Sequence, residues 1–465
     1  GFSFEKDEIE RKLQQARELL PRLFDQMTIF DEPSAVYEHR GFLGKNGPEI
    51  VFGRIFDHLG FDAIPNQLYR DLVISVLFYP GSKKRLQDYL RDHNRQEIPL
   101  ENIFHFLDKL QSQYKHQTEE ICFAYYQKMV NKKTGNENYR LIPLHFDKKL
   151  AKGPRKKETG KKKKQKLQVM YLGVLTGKNG FPIAYDLFEE TPVAHGILQT
   201  LEKYQRRFLI SLPVLIAPSG LLSKATLEAL VENQIPFISG VRLKRENEKT
   251  RKEIEQLAII EGQVAILKKQ DKTKLLVHYS MIQAKKDSTA REKKLKRLEK
   301  RIDDGLVSMH SINRRGFNRY LKLDKDQTVS IDYKKIASER KWDGLTAYVT
   351  NTNYPSAQIP GIVPELKLMW ETFRIEKSDL KIKPGYQKVK ERIESMNNIS
   401  FVSYALYIEL ERILHKRAPE ISMTKAIKQI SGIKESSPTA PNGLPQNQHI
   451  KTNEIWRKIL ECVKY

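Results

Sequence analysis

The sequence predicts an α/β protein: a mixed five-stranded sheet with helices, preceded by a helical domain and interrupted by a charged α+β insertion. Three features of the chain predict it. Up to about residue 135 the apolar residues recur at helical spacing. Between 139 and 242 short apolar runs bounded by Gly, Pro and Asn alternate with helical patterns. From about Val241 to Trp342 the chain turns strongly charged before strand character returns. The corresponding division is 1–138, 139–242, 243–342, 343–416 and a tail, 417–465.

Residues 4–30 place Ile9, Leu13, Ala16, Leu19, Leu20 and Leu23 on one helical face. Asp71 to Leu90 reads as a helix, a Pro80-Gly81 break and a second helix; Asn102–Leu110 and a run to about Met129 add two more. Two short helices around a turn fit a helix-turn-helix reader of DNA as well as they fit ordinary helical packing. Leu141 to Asp147 is an apolar strand ending in an acid, and Gln168–Thr176 with Phe181–Phe188 form a hairpin across Gly177-Lys-Asn-Gly180. A helix over 194–208, a strand over 213–217, a helix over 222–233 and a strand over 236–240 follow. Three strands, a helix, a strand, a helix and a strand is the order of a ribonuclease-H-like core. Within the insertion, 263–267 and 274–278 are β-like, and Asp287–Asp304 is a helix rich in Arg, Lys and Glu at pairing distance. Gly344–Thr350 is a strand, 364–380 and 389–414 are helices, 432–450 is a Pro-, Ser- and Asn-bearing loop, and 454–463 closes with a helix.

Composition narrows the function. The 465 residues suffice for two or three domains, and 39% hydrophobic against 30% charged residues fits a soluble fold. A net charge of +25 favours a polyanionic partner, because phosphate binding releases condensed counterions. A membrane surface is the competing partner, but no apolar run reaches spanning length and no basic amphipathic helix dominates, so membrane binding is not expected. Cys122 and Cys462 stand alone, which speaks against a disulfide framework or a zinc site and for a reducing compartment. The first residues lack the basic-then-apolar order of a signal peptide, and a cytoplasmic, nucleoid-associated location is expected.

The densest charge lies after the first strand: Lys148, Lys149, Lys152, Arg155, Lys156, Lys157, Lys161, Lys162, Lys163, Lys164 and Lys166, against the single acid Glu158. Such an arm grips phosphates without reading bases; a solvated loop is the alternative. Arg291, Lys293, Lys294, Lys296, Arg297, Lys300 and Arg301 make a second candidate contact surface, which Glu292 and Glu299 neutralise in part, and Arg314, Arg315 and Arg319 make a third.

Val214-Leu-Ile-Ala-Pro218-Ser-Gly220-Leu-Leu-Ser-Lys reads as strand, tight turn and helix, and it resembles the second catalytic block of DDE transposases of bacterial insertion sequences, where the strand ends in aspartate. Further stretches are similar in the family's order: Pro80-Gly-Ser-Lys-Lys84, the hairpin Val174 to Tyr185, the basic helix from His278 through Arg291-Glu-Lys293, Trp342-Asp343-Gly344 with Thr350-Asn351, and Phe373-Arg374-Ile-Glu-Lys377-Ser378-Asp-Leu380. The likeness is to the branch with an insertion between the second and third acid. That family's chemistry uses three carboxylates on two divalent metals, which activate a water or a 3′-hydroxyl for in-line attack on phosphorus. Carried over position by position, the first acid is Asp147, the second falls on Pro218 and the third on Trp370. Glu371, a possible substitute, is turned about 100° around the helix, and Glu376 and Asp186 offer no replacement at the fourth strand. Asp147 also reads as a salt-bridge partner of its basic neighbours.

The resemblance implies a transposase-derived, double-stranded-DNA-binding protein with a degenerate catalytic triad, acting as a regulator or part of a nucleoprotein complex, possible as a homodimer. No cofactor is expected; Mg2+ or Mn2+ enters only if catalysis is retained. An active transposase using Asp147 with displaced acids such as Glu371, and an RNA-binding protein, stay open as alternatives.

Overall fold

The computed structural model describes residues 46–78, 87, 90–91, 98–110, 113–131, 137–144, 170–177, 179–190, 192–269, 272–313, 316–324, 327–373, 386–433 and 454–464. In chain order these form helices α1 (Arg54–Leu59), α2 (Gln67–Phe78), α3 (Leu100–Leu110) and α4 (Lys115–Met129), then strands β1 (Asn138–Leu144), β2 (Met170–Thr176) and β3 (Pro182–Phe188). Next come α5 (Ala194–Phe208), β4 (Val214–Ala217), α6 (Lys224–Glu232), β5 (Phe237–Val241), α7 (Glu248–Gln256), β6 (Val264–Lys268), β7 (Lys274–Tyr279) and α8 (Met281–Asp303). The chain continues through β8 (Leu321–Leu323), β9 (Val329–Ile331), α9 (Tyr333–Arg340), β10 (Leu345–Thr350), α10 (Ile359–Thr372), α11 (Tyr386–Arg417), α12 (Met423–Gly432) and α13 (Glu454–Cys462).

Among the described residues the strands make an eight-stranded mixed sheet in the order β3-β2-β1-β4-β5-β10-β7-β6, with β8-β9 as a separate ribbon. The expected sheet had five strands. The difference comes from the charged insertion, whose strands β6 and β7, with β10, continue the sheet in antiparallel fashion beyond β5. β10 pairs the backbone groups that the edge of β5 would otherwise leave open, and β7 and β6 do the same in turn for β10 and β7. The candidate helices over 4–30 and after Pro80 fall largely or wholly outside the described residues, as does the 434–450 part of the expected loop.

Contacts divide the chain into two units: 1–137 with 143–191 and 368–465, and 138–142 with 192–367. In the first unit, α11 packs on α2 and α3, burying Tyr69, Phe104, Ile399, Val402 and Leu406. Polar groups inside it are paired: Tyr69 Oη donates to Asn398 Oδ1 at 2.7 Å, and Asn398 Nδ2 donates to Thr118 Oγ1 at 3.0 Å. Arg392 grips Asp108 with Nε and Nη2 at 2.8 and 2.7 Å.

In the second unit β1, β4 and β5 run parallel, and Leu215, Ile216, Phe237 and Ile238 are fully buried. This is the burial expected of central parallel strands. The Thr350-Asn351 pair closes the unit. Asn351 Oδ1 accepts from Phe237 N and its Nδ2 donates to Ile235 O, both at 2.9 Å, while Thr350 Oγ1 donates to Phe237 O at 2.6 Å. That motif is therefore a clasp on the start of β5. The insertion has its own small core of Leu295, Leu298, Tyr320, Leu321, Ile331 and Ile336.

Candidate nucleic-acid interface and the second-acid turn

The strand–turn–helix around Pro218 forms as its sequence predicts. β4 ends at Ala217, Leu221 N donates to Pro218 O at 3.3 Å to close the turn, and Ser223 caps α6 by accepting from Thr226 N at 3.1 Å. Gly220 takes φ +81°, and a Cβ there would lie 2.9 Å from Arg242 Nη2. Only glycine meets both demands without strain. So at Pro218, where the sequence resemblance expects the second acid, the protein presents a side chain that binds no metal, beside a turn covered by a guanidinium. A hard divalent cation seeks several oxygen ligands, and this donor set does not fit one. Among the described residues no group of three His, Cys, Asp or Glu side chains is placed to hold a metal.

The other carried-over positions are distributed as follows. Asp147 and the arm from Lys148 to Lys166 lie outside the described residues, and β1 is described only to Leu144. Trp370 and Glu371 fall in the last turn of α10. Glu371 is exposed, and its charge with that of Glu411 adds to burial in pushing the Tyr407 hydroxyl up to about 12.

Sequence reasoning passed over Arg140. In the parallel register of β1 and β4 it stands opposite Ile216, two residues before Pro218. Its side chain is 2% exposed and meets Glu365 of α10 through Nη2 at 2.5 Å. The only sequence signal was one charge inside an apolar strand, Tyr-Arg-Leu-Ile-Pro-Leu.

The basic helix is longer than expected, because Ser280 caps it by accepting from Gln283 N, and it starts at Met281 rather than Asp287. Its charges separate into two jobs. Arg291 is buried and holds Asp343 with both terminal nitrogens, which keeps its pKa above the ordinary guanidinium value. Lys294 sits over the Phe317 ring at 4.6 Å, and Arg301 Nη1 donates to Asn318 Oδ1 at 3.4 Å. Those three each contact a side chain of the protein itself, Lys294 while remaining exposed. Lys286, Lys293, Arg297 and Lys300 are all exposed. At 100° per residue they fall in a stripe about 60° wide, roughly 160° from the stripe of Arg291, Leu295, Leu298 and Ile302 that packs inward. Glu292, Glu299 and Asp303 lie on a separate flank about 90° to 130° from the stripe's centre, and the one acid in phase with the stripe is Asp304, the residue that caps the helix at its C-terminal end. Lys286 was not among the expected contacts; helical phase, not local charge density, identifies it. The third expected group is incompletely described: residues 314–315 fall outside, and Arg319 donates to Glu339 Oε2 at 2.6 Å.

No protein-family model and no curated protein matches the chain. Among solved structures it is similar to the cryo-EM structure of a piggyBac transposase synaptic complex with hairpin DNA, at TM-score 0.29 and 7% identity. The match covers 66% of this chain and 56% of that chain. A likeness of this extent leaves function to the residues themselves. No helix among the described residues is long and apolar enough to cross a membrane.

Proposed function

We propose that the protein is a transposase-derived DNA-binding protein that holds duplex DNA through its phosphates and does not cut it. The observation that carries the reading is the stripe of Lys286, Lys293, Arg297 and Lys300 on the solvent face of α8, with no acid in phase before the C-terminal cap Asp304. Over 14 residues it extends about 21 Å, enough to meet several phosphates along one strand of a duplex. The opposite face of the same helix is anchored by a small core and the Arg291–Asp343 pair, so the cations stand on a rigid element rather than on a loop. The net charge of +25 supports the same partner.

The ribonuclease-H-like reading of the core is supported by the strand order β3-β2-β1-β4-β5, with β2 and β3 antiparallel and β1, β4 and β5 parallel. The family likeness of the Pro80, hairpin, Trp342 and Phe373 stretches adds the transposase origin. The loss of cutting is supported by Pro218 and by the guanidinium of Arg242 at the same turn.

The test combines binding and cleavage on one duplex. Fluorescence anisotropy should show tight, salt-sensitive binding that magnesium does not change, and incubation with manganese should leave both strands intact. Manganese-dependent nicking that disappears in Asp147→Ala would establish an active transposase instead. A clear preference for structured RNA over duplex would move the protein to RNA binding.

A further inference from the structure

We infer that Arg140 is a phosphate-binding residue and that Glu365 is the internal carboxylate that occupies it until a phosphate arrives. The side chain of Arg140 is 2% exposed, yet Nε and Nη1 have no hydrogen-bond partner among the described residues. Other buried arginines differ. Arg291 and Arg392 each hold a carboxylate with two nitrogens and leave one buried nitrogen without a partner. Arg140 has one contact and leaves two. Folded proteins rarely bury N–H groups unpaired, because each loses its water without recovering a bond.

The chemistry of the guanidinium says what fits. Its fork offers two edges that take an oxyanion bidentately, Nε with Nη2 and Nη1 with Nη2. Nη2 is common to both, and it is the nitrogen that Glu365 contacts. One carboxylate oxygen thus blocks both forks while satisfying neither. Glu365 is itself 51% exposed, so its carboxylate can turn to water at little cost when a competitor arrives. A tetrahedral phosphate oxyanion presents two oxygens to one fork and brings the negative charge that the buried guanidinium needs. The location agrees: Arg140 is level with Ile216, just before the Pro218 turn and within the unit that carries Arg242.

The phosphate can be free, or it can be the terminal phosphate of a nucleic acid; an end phosphate protrudes, whereas an internal one is flanked by sugars on both sides. In the second case the inference rests on the DNA-binding reading above. The test uses the full chain, with inorganic phosphate as probe, followed by thermal melting and by broadening of the phosphate phosphorus resonance. Wild type should show a saturable response. Glu365→Gln, which removes the competing charge, should tighten binding about tenfold, a modest part of what charge-assisted bidentate contacts contribute. Arg140→Met should abolish the response. Equal affinity in wild type and Glu365→Gln, a response that survives Arg140→Met, or no saturable response would overturn the inference. If Arg140→Met does not fold, Glu365→Gln decides alone, because a fixed structural ion pair predicts lower stability and no gain in phosphate affinity.

A second arm compares duplexes with 5′-phosphate and 5′-hydroxyl ends. Tighter binding of the phosphorylated end by Glu365→Gln assigns the nucleic-acid source; a gain seen only with inorganic phosphate assigns the free anion. Salt-sensitive duplex binding without any phosphate effect sinks the Arg140 inference alone. A phosphate effect without duplex binding sinks the DNA reading alone.

Discussion

Two regions of the second unit bury an arginine against an acid, and they are built to opposite ends. At the seam where the insertion rejoins the sheet, Arg291 holds Asp343 with both terminal nitrogens, Gly344 N donates to Asp287 Oδ2 at 3.1 Å, and Gln283 Nε2 donates to Asp287 Oδ1 at 2.8 Å. Before the Pro218 turn, Arg140 has one half-exposed partner and two unpaired nitrogens. The seam is closed and structural. The strand position is open. Depth of burial does not separate them; completeness of hydrogen bonding does.

The comparison can be broken most forcefully at the seam. Asp343→Ala leaves Arg291 buried without its counter-charge and should cost about 3–5 kcal/mol in urea unfolding. A loss below about 1 kcal/mol would mean that solvent screens the pair and that the seam is no tighter than the strand site. Gly344→Ala acts on the same seam through the backbone. Gly344 has φ +77°, and a Cβ would lie 2.7 Å from Ser280 O, so a loss of about 1–3 kcal/mol is expected from the same measurement. At the Pro218 turn the expected losses are smaller. Ser223→Ala removes the α6 cap and should cost about 1 kcal/mol. Glu365→Gln removes a charge but keeps an amide oxygen that can accept from Arg140, so it should cost less than Asp343→Ala, which leaves Arg291 with no acceptor at that position. Equal losses for Glu365→Gln and Asp343→Ala would erase the distinction.

Much of this architecture was legible from residue pattern. The helix Ala194–Phe208, the hairpin β2–β3 and the strands β4, β5, β7 and β10 appear within one or two residues of expectation, because each is a short apolar run or amphipathic stripe closed by a turn residue. The strands β8 and β9, three residues each, and the helix α9 were not legible. Their apolar residues Leu321, Ile331 and Ile336 share one small core with Tyr320 and with Leu295 and Leu298 of α8, and no local period announces that core. The site was legible in part. Pro218 could be read against a family pattern, whereas Arg140 needs strand register and Lys286 needs helical phase. Arg291 shows the converse: a basic residue in a basic run, which the fold turns inward.

The most direct test of the account is the salt dependence of duplex binding by the wild type and by a variant with Lys286, Lys293, Arg297 and Lys300 all changed to alanine. Each phosphate contact contributes about −0.9 to the slope of log affinity against log salt, so the variant's slope should be shallower by about 3 to 4. That result places the DNA on α8. An unchanged slope, with the variant still folded, would contradict the account and put the duplex on another surface.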